Sequence, residues 1–171
     1  STAFTTWLDF IQAQQQAAAV LRAMGNLLPT HIETLANNFA ALRRDLVSLD
    51  ADLRGIAADL DDTPLLGSHP VYQYLARGYG LHIRSVHWEP EAMPDAAGWT
   101  ELAALRKTHP AKVMLWEDAP DKAIAEKLKA RGVRSVVFAP CANRPRTGDW
   151  LVVMRANIAA LRAAPIIPWF R

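Results

Sequence analysis

A run of apolar residues at heptad spacing dominates the first third of the sequence. The steps between its members alternate between four and three residues without a break, through Leu28, Ile32, Leu35, Phe39, Leu42, Leu46, Leu49, Leu53, Ile56 and Leu60. This period predicts a single helix of roughly 45 Å at 1.5 Å per residue. Two interpretations stay open. The helix is either part of a coiled coil, or a spine helix packed along a domain; the sheet predicted downstream favours the second.

A shorter helix is predicted before the spine helix. It covers residues 10–24, with Asp9 as its N-cap and Gly25 as its stop. The spine helix itself is predicted to begin at Thr30, because the Thr30 hydroxyl and Glu33 have the spacing of a capping box. No good strand pattern occurs in this part of the chain.

The remainder of the chain alternates short strand-like runs with amphipathic helical patterns. Strands are predicted at 64–67, 83–88, 113–116 and 135–138, and helices at 70–77, 98–107, 119–130 and 149–163. Such alternation predicts an α/β fold with a four-stranded parallel sheet and helices on both faces. We therefore predict a helical segment at 1–61 with the long interlobe helix, followed by an α/β lobe at 62–171.

Composition and charge exclude several classes of protein. The formal net charge is +2, and no block of five or more like charges is present, so nucleic acid is not an expected partner. No apolar run approaches the roughly 20 residues of a membrane helix, and no signal segment opens the chain. The chain is thus expected to be cytosolic, processed or a fragment. A single cysteine, Cys141, excludes an internal disulfide.

The usual catalytic motifs are missing from the sequence. Neither a phosphate-binding glycine loop nor a G-x-S-x-G elbow occurs. Ser68 and His69 are adjacent, which is an awkward geometry for a nucleophile and its base. We expect no enzyme activity. A small α/β hydrolase, with His69 and either Glu117 or Asp149 as acid–base groups, is the minor alternative.

Metal-capable residues follow the predicted strands. Open parallel sheets bind ligands beyond the carboxyl ends of their strands. The polar residues at those positions are Ser68, His69, His87, Glu89, Glu117, Asp118, Cys141, Asn143 and Asp149. Each also has an ordinary structural interpretation: His69 and Asp149 as helix caps, Glu117 as a partner of a buried N–H or lysine, and His87 as a packed surface imidazole. The other histidines, His31, His82 and His109, are expected to face solvent.

Four segments together resemble the zinc- and manganese-binding receptors of ABC transporters. Residues 65–81 (LLGSHPVYQYLARGYGL) are similar to that family's strand, S-H pair, aromatic-rich helix and YGL. Residues 89–94 (EPEAMP) are similar to the family's S-P-E-A-E-P segment, and Glu117 has the position of the Glu that ends a strand in the family. Residues 148–157 (GDWLVVMRAN) are similar to the family's G-D-x-Y-x-x-M-x-x-N segment. The long helix before the sheet resembles the rigid helix that joins the family's two lobes. The likeness covers nearly the whole chain, in order.

The resemblance implies a partial set of metal ligands. His69 and Asp149 match the family's ligands from the C-terminal lobe, and His87 or Glu117 could supplement them or orient them. A further ligand is usually the His of a D-P-H-x-W-L-D-P segment, where this chain has Thr5 in residues 3–10 (AFTTWLDF). The implied cargo is Zn²⁺ or Mn²⁺, bound weakly or in an incomplete site because zinc ordinarily has four ligands.

The resemblance also implies partners and a compartment. The chain corresponds to the C-terminal lobe with its spine helix, so the N-terminal lobe and its ligand are expected to be absent. An apolar stripe left bare on the helices predicts either a homodimer or a separate N-terminal piece, with the tail at 165–170 covering part of it. The family implies an ABC permease as partner and a periplasmic location. A degenerate receptor, acting as an interaction module or binding another small ligand, is the main alternative.

Overall fold

A computed structural model describes residues 4–164 of the chain. Its helices are α1 (Phe10–Leu27), α2 (Ile32–Leu60), α3 (Gln73–Tyr79), α4 (Ala96–Thr108), α5 (Lys122–Lys129) and α6 (Trp150–Ala163), and its strands are β1 (Leu65–Gly67), β2 (Ile83–Ser85), β3 (Val113–Trp116) and β4 (Arg134–Val137). All four strands pair in parallel, in the order β2-β1-β3-β4. The predicted α/β class with a four-stranded parallel sheet is confirmed.

Helices cover both faces of the sheet. Successive residues of a strand point to opposite faces, so Leu65 and Leu115 pack with α1, α2, α3 and α6, whereas Leu66 and Met114 pack with α4 and α5. Both faces being buried explains why the two central strands, β1 and β3, are apolar throughout, whereas the edge strands β2 and β4 include Arg84 and Arg134. No helix among the described residues is long and apolar enough to span a bilayer.

The spine helix α2 has two different halves. Its second half buries Leu46, Leu49, Leu53, Ile56 and Leu60 in the core beside the sheet. Its first half packs against α1 in an antiparallel helical hairpin and leaves Ile32 exposed. The continuous heptad pattern therefore serves a helix pair at one end and a domain core at the other.

The predicted stop of α1 at Gly25 is wrong. The helix continues to Leu27, and the Leu28 N–H donates to the Met24 carbonyl at 2.8 Å. A Cβ on Gly25 would lie 2.7 Å from Cδ1 of Ile32. This glycine thus allows the two helices of the hairpin to approach closely, and it does not end the first of them.

The predicted capping box at the start of α2 is also wrong. A 3₁₀ turn at Pro29–His31 precedes the helix, which begins at Ile32 with no side chain capping it at His31. Proline fixes its own φ and lacks an N–H, so it favours the first position of such a turn. The turn moves the helix start past Thr30 and removes the spacing that capping by Thr30 requires.

Candidate metal centre

The candidate site lies at the point where the sheet changes direction. The chain runs from β1 outward to β2 on one side, and from β3 outward to β4 on the other. In sheets of this kind a crevice opens beyond the carboxyl ends of the two central strands. His69 comes two residues after Gly67, the last residue of β1, and Glu117 directly follows β3.

Backbone hydrogen bonds hold the three segments after these strands together. The Ser68 N–H donates to the Leu115 carbonyl at 2.8 Å, and the Trp88 N–H donates to the Ser68 carbonyl at 2.8 Å. The approach is so close that a Cβ on Gly67 would lie 2.6 Å from Oγ of Ser85. This rigid junction fixes the positions from which His69, His87 and Glu117 project.

His69 lies between two carboxylates. Its Nδ1 is 3.5 Å from Oε1 of Glu117, and its Nε2 is 3.4 Å from Oε1 of Glu89. The His87 ring packs edge-on against it, with ring centroids 5.5 Å apart. Three of the predicted site residues therefore meet here. Glu89 was missing from the predicted ligand set, although its place after the second strand was the signal that could have included it.

Burial affects the acidity of Glu117 more than its charged neighbours do. Removal of solvent raises the pKa of the Glu117 carboxyl above its usual value, His69 lowers that pKa, and Glu89 raises it further. The carboxyl of Glu117 is 36% exposed and that of Glu89 is 66% exposed. The site is thus an acidic crevice that favours a cation, with one enclosed and one open carboxylate.

Asp149 caps α6, the helix that follows β4 along the chain. Its Oδ1 accepts a hydrogen bond from the Val152 N–H at 2.9 Å, which is the N-cap role expected as the ordinary alternative. Within residues 4–164 it makes no ion pair or hydrogen bond with His69, His87, Glu89 or Glu117. Across the same residues, no three His, Cys, Asp or Glu side chains are arranged to hold one metal ion.

A cavity adjoins the acidic crevice at Glu117. Its volume is about 390 Å³, and it is lined by Glu117, Asp118 and the loop between β4 and α6. Asp118 lies 3.5 Å from Nη2 of Arg146 in that loop, which neutralises this carboxylate in part. Cys141, in the same loop, has a positive φ of 55°. The loop thus borders Glu117 on the side opposite to β2.

The segment before α1 packs against the residues that follow His69. The Thr5 side chain is 1% exposed, and its hydroxyl donates to the Val71 carbonyl. Nearby, Nε1 of Trp7 donates to the Pro140 carbonyl at 2.7 Å. The position at which the resemblance expects a histidine is thus close to the crevice in the chain's own fold. The buried Thr5 hydroxyl is directed at the backbone and does not replace the imidazole nitrogen that the resemblance expects at this position.

The fold and the crevice define a parallel α/β lobe with a candidate cation site at its switch point. Comparison with known proteins agrees with this class. The model of the family described as "ZnuA: Zinc-uptake complex component A periplasmic" matches residues 5–164. The chain belongs to this family.

Known relatives share the fold at low sequence identity. The high-affinity zinc uptake system protein ZnuA of Bacillus subtilis (strain 168) is 22% identical over 168 residues, covering 94% of this chain and 53% of that protein. The crystal structure of the Zn(II)-bound ZnuA-like domain of Streptococcus pneumoniae AdcA has a TM-score of 0.83 at 24% identity, covering 92% of this chain and 62% of that one.

A second solved structure agrees equally well. The metal-dependent lipoprotein YcdH from Bacillus subtilis has a TM-score of 0.84 at 22% identity, and the match covers 94% of this chain and 63% of that one. The chain therefore spans between about half and two thirds of the length of these relatives.

Proposed function

We propose that this chain is a zinc-binding component of an ABC-type uptake system outside the cytoplasm, which delivers its ion to a membrane permease. The observation that carries the proposal is the group of His69, His87, Glu89 and Glu117 around the switch point of the sheet. Two imidazoles and two carboxylates form a donor set suited to a borderline cation such as Zn²⁺, with Mn²⁺ as the other cargo that the family resemblance suggests. Membership of the zinc-uptake family supports the choice of zinc.

In this proposal His69 is the central metal ligand. Glu117 is the more enclosed of its two carboxylate neighbours, and it would accept a hydrogen bond from Nδ1–H, which leaves the Nε2 lone pair free for the ion. Asp149 is proposed as a second ligand on the strength of the family resemblance and of its place at the start of α6, the helix that follows β4. A carboxylate there would add negative charge and one oxygen donor.

The test is the dissociation constant of Zn²⁺, measured by competition with a chromophoric chelator. We expect one ion per chain for the wild type, and a loss of affinity in His69→Gln. Asp149→Asn is the sharper probe of the second ligand, because Asn caps a helix as well as Asp does and so preserves the bond to Val152. Absence of zinc binding by the wild-type chain would overturn the proposal.

The second candidate is a degenerate receptor that no longer carries metal. Thr5 favours it, because a buried hydroxyl bonded to the backbone replaces a histidine in the matching family segment. Such a chain would bind another small ligand or a protein. A zinc titration without saturation at millimolar zinc would favour this candidate over the first.

No observation favours a hydrolase. Ser68 is buried, and its Oγ makes no hydrogen bond within residues 4–164, so no base activates it as a nucleophile. His69 faces carboxylates through both of its ring nitrogens and is not directed at a hydroxyl. The proposed function is accordingly non-enzymatic.

A protein partner is proposed for the end of the helical hairpin. Val20, Met24, Leu27, Leu28 and Ile32 are exposed there, and we name this surface the hairpin tip. Apolar groups gathered at one end of a helix pair are typical of an interface. The proposed occupant is an N-terminal lobe or a second copy of the chain. The tail at 165–170, which was also expected to cover this surface, lies outside the described residues.

A further inference from the structure

Both ring nitrogens of His69 face carboxylate oxygens, and this arrangement suits the binding of a cation. A neutral imidazole has one N–H and one lone pair, so it can donate a hydrogen bond to only one carboxylate. Here both nitrogens face carboxylate oxygens, at 3.5 Å to Glu117 and 3.4 Å to Glu89. When Nδ1–H of His69 donates to Glu117, the Nε2 lone pair faces Oε1 of Glu89, so a cation between those two atoms would be attracted by both.

The distance from His69 to Glu89 has the value that zinc would require. With zinc–nitrogen and zinc–oxygen bonds near 2.0–2.2 Å, tetrahedral geometry separates two ligand atoms by roughly 3.3–3.5 Å. Nε2 of His69 and Oε1 of Glu89 are 3.4 Å apart. The pair can therefore receive one ion between its donor atoms without a large movement of either residue.

The exposure of the two carboxylates decides on which side of His69 the ion would bind. Glu117 directly follows a buried strand and its side chain is 36% exposed, so it is the less accessible of the two carboxylates and suits the role of orienting the imidazole. Glu89 is 66% exposed, in a segment that solvent reaches directly. An ion arriving from solution would meet the Glu89 side of the ring first.

His87 is near enough to contribute a third donor. Two imidazoles on one tetrahedral zinc have ring centroids roughly 5 Å apart, from the bond lengths above. The His69 and His87 centroids are 5.5 Å apart. Among residues 4–164, no three metal-capable side chains converge on one point. His87 is exposed, however, so its ring can rotate and turn a nitrogen toward the ion.

We infer that Glu89 and His87 are additional zinc ligands, so that this chain binds a divalent transition-metal ion largely through its own lobe. The inference rests on the proposed function, since it deepens the same site. It also accounts for the loss of a donor at Thr5: two donors after β2 supply what that position no longer provides. His69, Glu89 and His87 would form a three-ligand site once His87 turns toward the ion, and Asp149 or water would occupy the fourth position.

The test compares zinc dissociation constants of four single variants by chelator competition. Glu89→Ser introduces the residue that the resembling S-P-E-A-E-P segment has at its first position. Its matched control is Glu91→Ser, which removes the same charge from an exposed site two residues away. His87→Gln is paired with His82→Gln, because His82 is exposed and its Nε2 lies 3.3 Å from Oδ1 of Asp62, away from His69 in the sequence. Circular dichroism checks that each variant is folded.

We expect Glu89→Ser and His87→Gln each to raise the zinc dissociation constant by about tenfold or more, whereas the two controls change it by less than about twofold. A cobalt-substituted wild type should show the visible absorption of a tetrahedral site, weakened in both test variants. If His69→Gln abolishes binding but Glu89→Ser and His87→Gln do not affect it, the inference is overturned and the proposed function stands. If the wild type binds no zinc, both fail.

Discussion

Oε1 of Glu117 lies 3.5 Å from Nδ1 of His69, so the residue that directly follows β3 contacts the residue two positions after β1. Carboxylate partners of this kind fix the tautomer and the ring orientation of a metal-binding histidine. The contact joins the two central strands at their carboxyl ends. Substitution of Glu117 therefore tests whether this contact between the two strand ends contributes to metal binding.

Removal of the Glu117 side chain should weaken zinc binding without abolishing it. We expect Glu117→Ala to raise the zinc dissociation constant about 10- to 100-fold, because the imidazole loses its orienting partner. Glu117→Gln, whose amide oxygen still accepts the Nδ1–H bond, should cost less. An equal loss in both variants would mean that the charge of Glu117 matters more than its hydrogen bond, and hence that Glu117 binds the ion directly.

Introduction of a histidine at position 5 should strengthen zinc binding. Thr5 contacts the backbone at Val71, close to His69, so an imidazole there has a short path to the crevice. We expect Thr5→His to lower the zinc dissociation constant about tenfold or more. The larger side chain should also cost about 1–3 kcal/mol of stability at a buried position. Thr6→His, whose native hydroxyl accepts from Gln16 at 2.6 Å, is the control.

An unchanged zinc affinity in Thr5→His, with the variant folded, would contradict the match between this segment and the ligand-bearing segment of the family. In that case the degenerate-receptor candidate would lose its main support as well. Isothermal titration calorimetry measures the stoichiometry together with the affinity, so it also detects a second, unrelated site created by the new histidine.

The fold was largely predictable because hydrophobic period and strand–helix alternation are local signals. Predicted boundaries failed where tertiary contacts decided them. The strand predicted at 83–88 ends at Ser85, although the Val86 and Trp88 N–H groups continue to bond to Gly67 and Ser68. Val86 and Trp88 are apolar because they are buried in the core, and this pattern extended the predicted strand past its real end. Residues can be buried without adopting strand geometry.

The site was predictable as an edge of the sheet, but not as a set of partners. The rule that ligands bind beyond the carboxyl ends of strands brought together His69, His87 and Glu117. This rule could not show that Glu89, and not Asp149, is the second carboxylate that contacts His69. That outcome depends on the paths of the loops after β2 and β4. His109 was expected to face solvent, yet it is buried, with Nε2 2.7 Å from the Leu65 carbonyl.

Tyr79 should stay un-ionised in the folded chain at alkaline pH. Burial raises the pKa of its phenol well above the usual value of about 10, while the Phe10 N–H donates to its oxygen and its own O–H donates to Asp50. Because the folded pKa is the higher one, the contribution of Tyr79 to stability is fully present below about pH 10 and is lost as the pH rises further.

Ultraviolet titration of the phenolate checks this prediction. In the folded chain, Tyr79→Phe should leave the absorbance change of phenolate formation the same as in the wild type. In the chain unfolded in guanidinium, the variant should lack the contribution of one of the three tyrosines. The variant also leaves the Phe10 N–H without its partner, which should cost about 1–3 kcal/mol in chemical unfolding. A smaller phenolate amplitude in the folded variant would show that the prediction is wrong.

Leu53 should contribute far more to stability than Val47 on the same helix. Leu53 is fully buried between α2 and the sheet, whereas Val47 is 50% exposed. We expect Leu53→Ala to cost about 2–5 kcal/mol, because it removes buried methyl groups and leaves a cavity. Val47→Ala should change the free energy of unfolding by less than about 0.5 kcal/mol. Similar costs in the two variants would indicate that a partner covers Val47 in solution.

The hairpin tip should mediate association. Leu27 is 79% exposed, and Met24, Leu28 and Ile32 are exposed beside it, so the tip presents apolar surface that water solvates poorly. Size-exclusion chromatography with light scattering should show a dimer of the isolated chain, which dissociates in Leu27→Glu. Val152→Glu, at an exposed apolar position on α6, is the control and should leave the dimer intact. A monomer at every concentration would count against self-association.

Addition of a separately expressed N-terminal lobe should then give a heterodimer that Leu27→Glu also weakens, since both partners would cover the same side chains.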